Sequence, residues 1–396
     1  MKILFISSSS GSRGGGEIFL ARLGPALAGM GHEVALWASE HPRMDELCSV
    51  FSKIGTVFRS PYRNTYDRRF RGLGFPWGRK IPGRITRVWE DWKPDVIHFN
   101  KQNLEDGLDL LAAAKTLKTP GVCTIHLTQS PSALGAVCGR LRDWNARRAL
   151  RRFSGNYITV HESRAVELRR FLGPENTVKV VSNGVEVPAQ EEILRLRNLK
   201  RVELKLEADD LLVIGVGRFV EQKRPLLFLE QAARLKKSFP RARFLWVGGE
   251  NEKSFGWVGR GTRFGAGSLM ERWRDEVRKL RMEDCVGQEP WQEELRPFLA
   301  AADAYFHTAE YEGLPFSLLE AMAAGLPPAV SPEVRRDLDF LDTHNSIELT
   351  SDLDWAGADG LFQRIGSKAR ETIQERYSIR KMAGEYEKLY LEAAAH

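Results

Sequence analysis

The sequence contains few of the features that mark disulfide-rich, metal-binding or membrane-spanning proteins. Its four cysteines lie far apart without a Cys-x-x-Cys pair, and its eight histidines include no His-Glu-x-x-His motif. No stretch approaches the roughly 20 consecutive apolar residues of a membrane-spanning helix. The apolar run at the amino terminus is too short for a signal peptide. We therefore expect a cytoplasmic protein with reduced thiols.

Two fingerprints of nucleotide-dependent enzymes are also missing. Neither Gly-x-Gly-x-x-Gly nor Gly-x-x-x-x-Gly-Lys-[Ser/Thr] occurs in the chain. No acidic residue is clearly placed to bind a ribose after the second predicted strand. Both absences argue against a nicotinamide-dependent oxidoreductase.

The chain is long enough for two domains. A single hydrophobic core rarely grows past roughly 250–300 residues, and these 396 residues have an ordinary globular composition. Short apolar runs alternate with amphipathic stretches, which predicts an α/β fold with doubly wound parallel sheets. The alternation restarts at the apolar run 211–217, after a polar stretch from about 186 to 210. We predict Rossmann-like domains over 1–188 and 189–377, followed by a helical segment over 378–396.

The most specific motif runs from Glu312 through Gly-Leu-Pro-Phe-Ser-Leu-Leu to Glu320 and ends at Gly325. Pro315 suits the first position of a helix and Gly325 the residue just past its end. The amino terminus of that helix is an anion site, with a carboxylate before it and another inside it. Such a pair suits recognition of sugar and ribose hydroxyl groups. An alternative interpretation explains the spacing equally well: Glu312 is then a solvated loop carboxylate and Glu320 an ordinary helix residue.

A second motif follows the apolar strand directly. Arg218 and Lys223 lie where ligands bind in open α/β sheets, beyond the carboxyl end of a strand. Two cations there would neutralise a diphosphate and stabilise it as it departs. The alternative is a basic loop that caps the next helix, and the motif alone favours that alternative.

Other candidates are weaker. The glycine-rich turn around Gly14, Gly15 and Gly16 would let the backbone approach a phosphate, although tight turning explains it equally. His126 ends a predicted strand, where it would donate a hydrogen bond to a ligand near neutral pH. His98 also ends a predicted strand, but a structural role is favoured for it.

Together and in this order, the motifs resemble the family 4 retaining glycosyltransferases of the GT-B fold. The resemblance spans nearly the whole chain and is most specific over 211–330. The matching segments are 14–17, 94–98, 124–126, 181–185, Gly217-Arg218 with Lys223, Ala301-Ala302-Asp303, and Glu312–Glu320.

The resemblance implies a role for each matching residue. The first domain would bind the acceptor and face the second, nucleotide-sugar-binding domain across a cleft, and the final helix would cross back to the first domain. The implied catalytic residues are Arg218, Lys223, Glu312 and His126, with the cations on the diphosphate and His126 beside the transferred sugar. The implied donor-binding residues are Gly15, Gly16, Gln288, Glu289, Gly313, Leu314 and Glu320, with the turn 287–290 on the base and Glu320 on the ribose.

The resemblance also bears on mechanism. This family is thought to use front-face attack assisted by the leaving phosphate, so no nucleophile is assigned. No cofactor or metal is expected, because the two cations and the helix terminus replace it; Asp337-Leu-Asp339 and Asp352-Leu-Asp354 fall too late in the chain. The donor is expected to be a UDP-sugar. The segment Pro327-Pro328-Ala-Val-Ser-Pro departs from the family pattern at a wall of the implied donor site.

A net charge of +7 favours acidic partners. The basic residues are interleaved with aromatic ones, which suits docking on an anionic membrane and a lipid-linked or cell-surface glycan acceptor. A solvated basic face is the alternative. Cluster 59–87 comprises Arg59, Arg63, Arg68, Arg69, Arg71, Arg79, Lys80, Arg84 and Arg87, with Tyr62, Tyr66, Phe70, Phe75 and Trp77; cluster 140–152 comprises Arg140, Arg142, Arg147, Arg148, Arg151 and Arg152, with Trp144 and nearby Phe153.

Three rival functions remain. The same fold would also serve a soluble small-molecule or protein acceptor. A nicotinamide-dependent oxidoreductase lacks its fingerprint, and a non-catalytic nucleotide-sugar-binding module is disfavoured by the intact Arg218, Lys223, Glu312 and Glu320. No nucleic acid partner is expected, because no recognised nucleic-acid-binding motif accompanies the charge.

Overall fold

A computed structural model of the chain describes residues 1–11, 14–68, 83–115, 117–249, 268–350, 353, 355 and 358–395. Several features singled out from the sequence lie outside these residues. They are the glycine-rich segment 252–267, the pair Asp352 and Asp354, the basic residues Arg69, Arg71, Arg79 and Lys80, the side chain of Arg84, and the aromatic residues Phe70, Phe75 and Trp77.

The described residues form two compact units. The first comprises Met1–Gly184 together with the helical segment that begins at Ile379, and the second comprises the described residues from Val185 to Ser378. The units are thus divided after residues 184 and 378, whereas the sequence-based boundaries lie after residues 188 and 377.

The first unit contains a seven-stranded sheet in which every neighbouring pair of strands is parallel. Its strands are β1 (Lys2–Ser7), β2 (Glu33–Ser39), β3 (Thr56–Ser60), β4 (Val96–Lys101), β5 (Gly121–Ile125), β6 (Asn156–Thr159) and β7 (Val178–Val180). Their order is β3-β2-β1-β4-β5-β6-β7. The helices of this unit are α1 (Gly15–Gly29), α2 (Asp45–Ser52), α3 (Gly83–Asp91), α4 (Leu108–Ala114), α5 (Gly139–Leu150), α6 (Glu162–Leu172) and α14 (Ile379–Ala394).

The second unit contains a six-stranded parallel sheet. Its strands are β8 (Leu212–Val216), β9 (Arg243–Val247), β10 (Val286–Glu289), β11 (Ala304–His307), β12 (Pro328–Val330) and β13 (Ile347–Glu348). Their order is β10-β9-β8-β11-β12-β13. The helices are α7 (Gln190–Glu203), α8 (Pro225–Ser238), α9 (Leu269–Lys279), α10 (Arg296–Ala301), α11 (Phe316–Ala323), α12 (Pro332–Asp337) and α13 (Ala358–Arg376).

Both sheets follow from buried apolar runs. The run Ile3–Ile6 in β1 is buried throughout, and so is Leu212–Ile214 in β8. Strands of a parallel sheet are covered by helices on both faces, so their sequences are continuously apolar rather than alternating. The predicted α/β fold with doubly wound parallel sheets is confirmed for both units.

In each sheet the strand order reverses once, between β1 and β4 in the first unit and between β8 and β11 in the second. At such a switch point the connections on either side leave in opposite directions, which opens a crevice beyond the carboxyl ends of the two strands. The loops that follow these four strands are therefore the places to look for a ligand site.

His98 lies inside β4 rather than at its end, because the strand continues to Lys101. Its Nε2 atom lies 2.8 Å from the Thr124 hydroxyl group and its Nδ1 atom 2.6 Å from the Tyr390 hydroxyl group on α14. Both ring nitrogens are therefore used within the core of the first unit. The structural role favoured for His98 is confirmed, but the prediction that it ends a strand is wrong.

The Tyr390–His98 contact predicts how firmly α14 is held. Tyr390→Phe leaves the buried Nδ1 atom without its partner and should lower the free energy of unfolding by about 1–3 kcal/mol. Leu391→Ala, at an exposed position on the same helix, is the control and should change it by less than about 0.5 kcal/mol. Urea unfolding measures both values. Equal stability of the two variants would contradict the account of His98.

Candidate functional site

The switch point of the second unit is framed by two loops that are tied together. A short 3-10 turn after β8 ends at Lys223, and the loop after β11 runs toward α11. The Glu310 amide donates to the Gln222 carbonyl at 2.8 Å, and the Gln222 side chain donates to the Tyr311 carbonyl at 2.8 Å. The Thr308 hydroxyl donates to the Lys223 carbonyl at 2.8 Å. These bonds fix the two loops relative to each other.

Lys223 and Glu312 form an ion pair across this crevice, with Lys223 Nζ donating a hydrogen bond to Glu312 Oε1. The two side chains are only 17% and 10% exposed. A charge that is mostly removed from water needs a partner, and here each residue supplies it for the other. The structure therefore brings together two of the residues singled out from the sequence.

Arg218 is the second cation beyond β8, and it differs from Lys223. Its side chain is partly exposed and has no hydrogen bond or ion pair with another described residue, although its carbonyl accepts from the Val220 amide. The backbone on either side is fixed, because the Gly217 amide donates to the Val247 carbonyl and the Phe219 amide to the Gly249 carbonyl. Arg218 is thus a cation on a fixed backbone whose side-chain donors have no partner in the part of the chain that the structure describes.

Gly248 is what allows this backbone arrangement. Its φ angle is +130°, and a Cβ atom there would lie 2.1 Å from the Gly217 carbonyl oxygen. Only glycine satisfies both conditions. The Gly248 amide in turn donates to the Glu289 carbonyl at the end of β10.

The amino terminus of α11 completes the crevice. Gly313, Leu314 and Pro315 are buried immediately before the helix begins at Phe316. Pro315 is therefore the N-cap residue, whereas the sequence pattern predicted it at the first helical position. It offers no side-chain hydrogen bond to the first turn. Gly325, with φ +85°, follows the carboxyl end as predicted. The positive end of the helix dipole lies next to Glu312, and Glu320 lies one turn further along.

His307, the last residue of β11, belongs to this site although sequence reasoning missed it. Its side chain is 2% exposed, and its Nε2 atom lies 3.7 Å from Glu312 Oε1. Burial lowers its pKa from 6.5 to about 4, so the ring is neutral at pH 7. The sequence contained a signal that could have identified His307, because it ends an apolar run in the same way as His126 does.

Gln288 and Glu289 end β10, at the edge of the same sheet. The Gln288 side chain donates to the Gly248 carbonyl at 2.8 Å and to the Glu289 carbonyl at 2.6 Å. Its amide nitrogen therefore holds the backbone in shape, and only its carbonyl oxygen remains for a ligand. The implied contact of these residues with a base stays a prediction.

The segment that departs from the family pattern forms ordinary structure. Pro328 begins β12, and Ser331 and Pro332 begin α12. Glu333 on α12 forms an ion pair with Arg224 at 3.0 Å, just beyond Lys223. The segment therefore supplies a wall of the second unit next to the cations.

In the first unit, a hydrogen-bonded chain links the switch point to β5. The Gly16 amide donates to the Gln102 side chain at 3.3 Å, and the Asn100 side chain donates to the Gly16 carbonyl at 3.1 Å. His126 Nε2 lies 2.8 Å from Asn100 Oδ1. A Cβ atom at Gly16 would strike the Gln102 side chain, whereas one at Gly15 would meet nothing within 4 Å. The structure thus brings Gly15, Gly16 and His126 to one edge of this sheet.

The contact with Asn100 decides what His126 can do. Burial lowers its pKa to about 3, so the ring is neutral and carries one proton. Asn100 Oδ1 only accepts, so that proton is on Nε2, and Nδ1 is left as an acceptor. The expectation that His126 donates to a ligand is therefore wrong.

The described arginines of cluster 59–87 are largely used inside the first unit. Arg59 pairs with Asp45, Arg63 donates to the Asp67 carbonyl, and Arg68 pairs with Asp109. Arg87 is exposed. Most of the cluster's described positive charge is therefore committed to internal partners.

Cluster 140–152 divides between core and surface. Arg142 is buried in a two-bond contact with Glu105, and Arg151 donates to the Leu172 carbonyl. Arg147 lies over the Phe171 ring at 4.8 Å. Arg140 and Arg148 are exposed on α5.

No helix within the described ranges is both long and apolar enough to cross a membrane. In the same ranges, no group of three or more histidine, cysteine, aspartate or glutamate side chains is arranged to hold a metal ion.

Two Rossmann-like units in one chain, with cations and a helix terminus at the switch point of the second, define the GT-B class of architecture. Models of two families match the chain: "Glycosyltransferase Family 4" over residues 13–187 and "Glycosyl transferases group 1" over residues 197–336. The chain belongs to the family 4 glycosyltransferases with the GT-B fold.

Individual proteins are similar over different extents. The lipopolysaccharide core biosynthesis glycosyltransferase LpsD of Rhizobium meliloti is 22% identical, over 98% of both chains. LpsE of the same organism is 29% identical, but the alignment spans only 39% of this chain and 38% of LpsE. The structure of Anabaena Alr3699/HepE in complex with UDP-glucose has a TM-score of 0.72 at 18% identity, covering 99% of this chain and all of that one.

The buried histidines His98, His126 and His307 predict a pH dependence of stability. Burial lowers the pKa values of His98 and His126 to about 3 and that of His307 to about 4. Their rings should therefore show no titration midpoint between about pH 5 and pH 8 by NMR, where histidine ordinarily titrates. The stability that these neutral rings contribute is fully present above pH 6.5. It is lost as the pH falls toward 4 for His307 and toward 3 for His98 and His126, because the unfolded chain takes up the protons first. A midpoint near 6.5 for any of the three would contradict their burial.

Proposed function

We propose that this chain transfers a hexosyl-type sugar from a nucleoside diphosphate sugar to an acceptor hydroxyl group, and that the second unit binds the donor. One observation carries the proposal: Arg218, the Lys223–Glu312 ion pair and the amino terminus of α11 all lie at one switch point. A nucleotide sugar has the complementary groups, a diphosphate beside a ring of hydroxyl groups.

The proposed chemistry uses each of these groups. The bond between the anomeric carbon and the diphosphate breaks, the acceptor oxygen adds to that carbon, and the acceptor's proton passes to the departing diphosphate. Arg218, Lys223 and the first turn of α11, behind Gly313 and Leu314, would stabilise the charge that develops on the diphosphate. Glu312 would accept a hydrogen bond from the sugar and Glu320 from the ribose.

Binding would rearrange the Lys223–Glu312 ion pair. A diphosphate attracts Lys223 Nζ away from Glu312, and Glu312 then accepts hydrogen bonds from sugar hydroxyl groups. Because each half of the donor replaces one partner of the pair, diphosphate and sugar would favour each other's binding. The same fixed positive charge is why we propose a reaction that needs no metal.

The donor and acceptor are proposed by analogy with relatives. The fold neighbour HepE was crystallised with UDP-glucose, and LpsD and LpsE are named for lipopolysaccharide core biosynthesis. We propose a UDP-sugar as donor, a lipid-linked or cell-surface glycan precursor as acceptor, and retention of anomeric configuration. The roles implied for Gly15, Gly16, His126, Gln288 and Glu289 belong to the same proposal.

Nucleotide binding tests the donor site. Calorimetry with UDP, GDP and ADP should show selective binding of UDP, and Arg218→Ala should weaken it by about 10- to 100-fold, the effect of losing a hydrogen bond to a charged group. Arg278→Ala, which removes a 67% exposed arginine on α9, should bind like the wild type. Failure of all three nucleotides to bind, or an unchanged affinity in Arg218→Ala, would contradict the proposal.

We infer a peripheral site of action, at the inner face of the plasma membrane, from the surface around α5. Leu134, Val137, Leu141 and Trp144 are each about half exposed or more, with Trp144 at 53%. The Arg148 guanidinium lies 5.5 Å from the Trp144 ring centre. Apolar side chains bordered by arginine suit the interface of an anionic bilayer, to which each arginine contributes about 1 kcal/mol.

Vesicle flotation tests this surface. The wild type should float with vesicles that contain phosphatidylglycerol and much less with pure phosphatidylcholine, and added salt should weaken the binding. The double variant Leu141→Glu/Trp144→Glu should lose it, whereas Val166→Glu, at an exposed position on α6, should not. Failure of the wild-type protein to bind anionic vesicles would contradict the proposal that the surface around α5 docks on a membrane.

A further inference from the structure

The Nε2 atom of His307 is a buried polar atom with no hydrogen-bond partner among the described residues. Polar atoms in a protein interior are nearly always paired, so one that is not requires an explanation. It lies at the carboxyl end of β11, at the switch point of the second unit, where a ligand is expected on topological grounds.

The hydrogen bonds around His307 identify Nε2 as an acceptor. The Tyr305 hydroxyl group donates to Ser317 Oγ at 3.0 Å, so it accepts from His307 Nδ1, also at 3.0 Å. The ring carries a single proton, because burial keeps it neutral, and that proton is on Nδ1. Nε2 therefore presents a lone pair.

Nε2 faces a second acceptor. Glu312 Oε1 lies 3.7 Å away, and the donor that approaches this oxygen is Lys223 Nζ. Two acceptors at this spacing do not bond to each other. They do suit a ligand that brings two donors, and neighbouring hydroxyl groups on a sugar ring are such a pair.

We propose that His307 Nε2 and Glu312 Oε1 form a two-acceptor subsite that reads two adjacent hydroxyl groups of the donor's sugar. The subsite rests on the proposed function, and it becomes available when the diphosphate draws Lys223 away from Glu312. His307 is then a specificity-determining residue: it selects sugars with a hydroxyl group next to the one bound by Glu312, and it makes no contact with the nucleotide.

Two variants separate this role from a structural one. His307→Leu removes the acceptor and leaves Tyr305 still donating to Ser317, whereas His307→Gln restores an acceptor near the position of Nε2. Calorimetry is performed with UDP and with UDP-glucose, UDP-galactose and UDP-N-acetylglucosamine, followed by deoxy analogues of whichever sugar nucleotide binds the wild type most tightly. Thermal unfolding of each variant shows that it is folded.

His307→Leu should bind UDP within about twofold of the wild type but bind the preferred UDP-sugar about tenfold more weakly, the effect of one lost hydrogen bond. His307→Gln should recover most of that loss. The wild type should bind one deoxy analogue more weakly, and His307→Leu should no longer distinguish that analogue from the parent sugar. Glu312→Gln should reduce discrimination at the adjacent position.

An equal loss of UDP and UDP-sugar affinity in His307→Leu would overturn the subsite and indicate a structural histidine. So would a deoxy penalty that persists unchanged in this variant. Failure of the wild type to bind UDP would instead remove the proposed donor site, and the subsite with it. The UDP measurement thus distinguishes the failure of the two proposals.

Discussion

The reversal of strand order between β8 and β11 is the constraint on which the candidate site depends. Lys223 and Glu312 are 89 residues apart in sequence, and they meet because the loops after these two strands border the same crevice. The hydrogen bonds of Gln222 and Thr308 then hold the loops in place. A substitution that shifted β11 relative to β8 would separate Lys223 from Glu312 even though it left both residues unchanged.

The first unit uses the same topology for different chemistry. Its reversal, between β1 and β4, brings Gly16 to Asn100, and the neighbouring β5 brings His126 to Asn100. These contacts are neutral hydrogen bonds rather than ion pairs. The corresponding contact at the reversal of the second unit is an ion pair between Lys223 and Glu312.

The sequence was most informative where burial and backbone geometry restrict the choice of residues. The apolar runs predicted both sheets, and Gly325 marked the end of α11 because that position has a positive φ angle. The helix α7 was not anticipated, and its mode of attachment explains why. Arg197 and Arg201 attach α7 to Asp303 and to neighbouring backbone carbonyls. Because arginines occupy part of its attached face, the helix has no continuous apolar stripe that could be detected in the sequence.

The site residues show a similar limit. Arg218, Lys223 and Glu312 follow from a motif, but the chemical state of a histidine depends on its neighbours in space. His126 was expected to donate to a ligand, but its single proton is used in the hydrogen bond to Asn100 Oδ1, so only an acceptor nitrogen remains. Arg142 was counted as surface charge, yet Glu105, distant in sequence, holds it in the core. Pairings of this kind are made by the fold and leave no local pattern.

The first unit is built from both ends of the described chain, since α14 follows the second unit in sequence but packs beside β4 and β5. During synthesis on the ribosome, the strands of the first unit emerge early, yet Tyr386 and Tyr390, the partners of Thr124 and His98, emerge only after the second unit. The second unit has all its residues before the first does. Until the second unit has been translated, His98 and Thr124 in the nascent first unit therefore lack their tyrosine partners on α14.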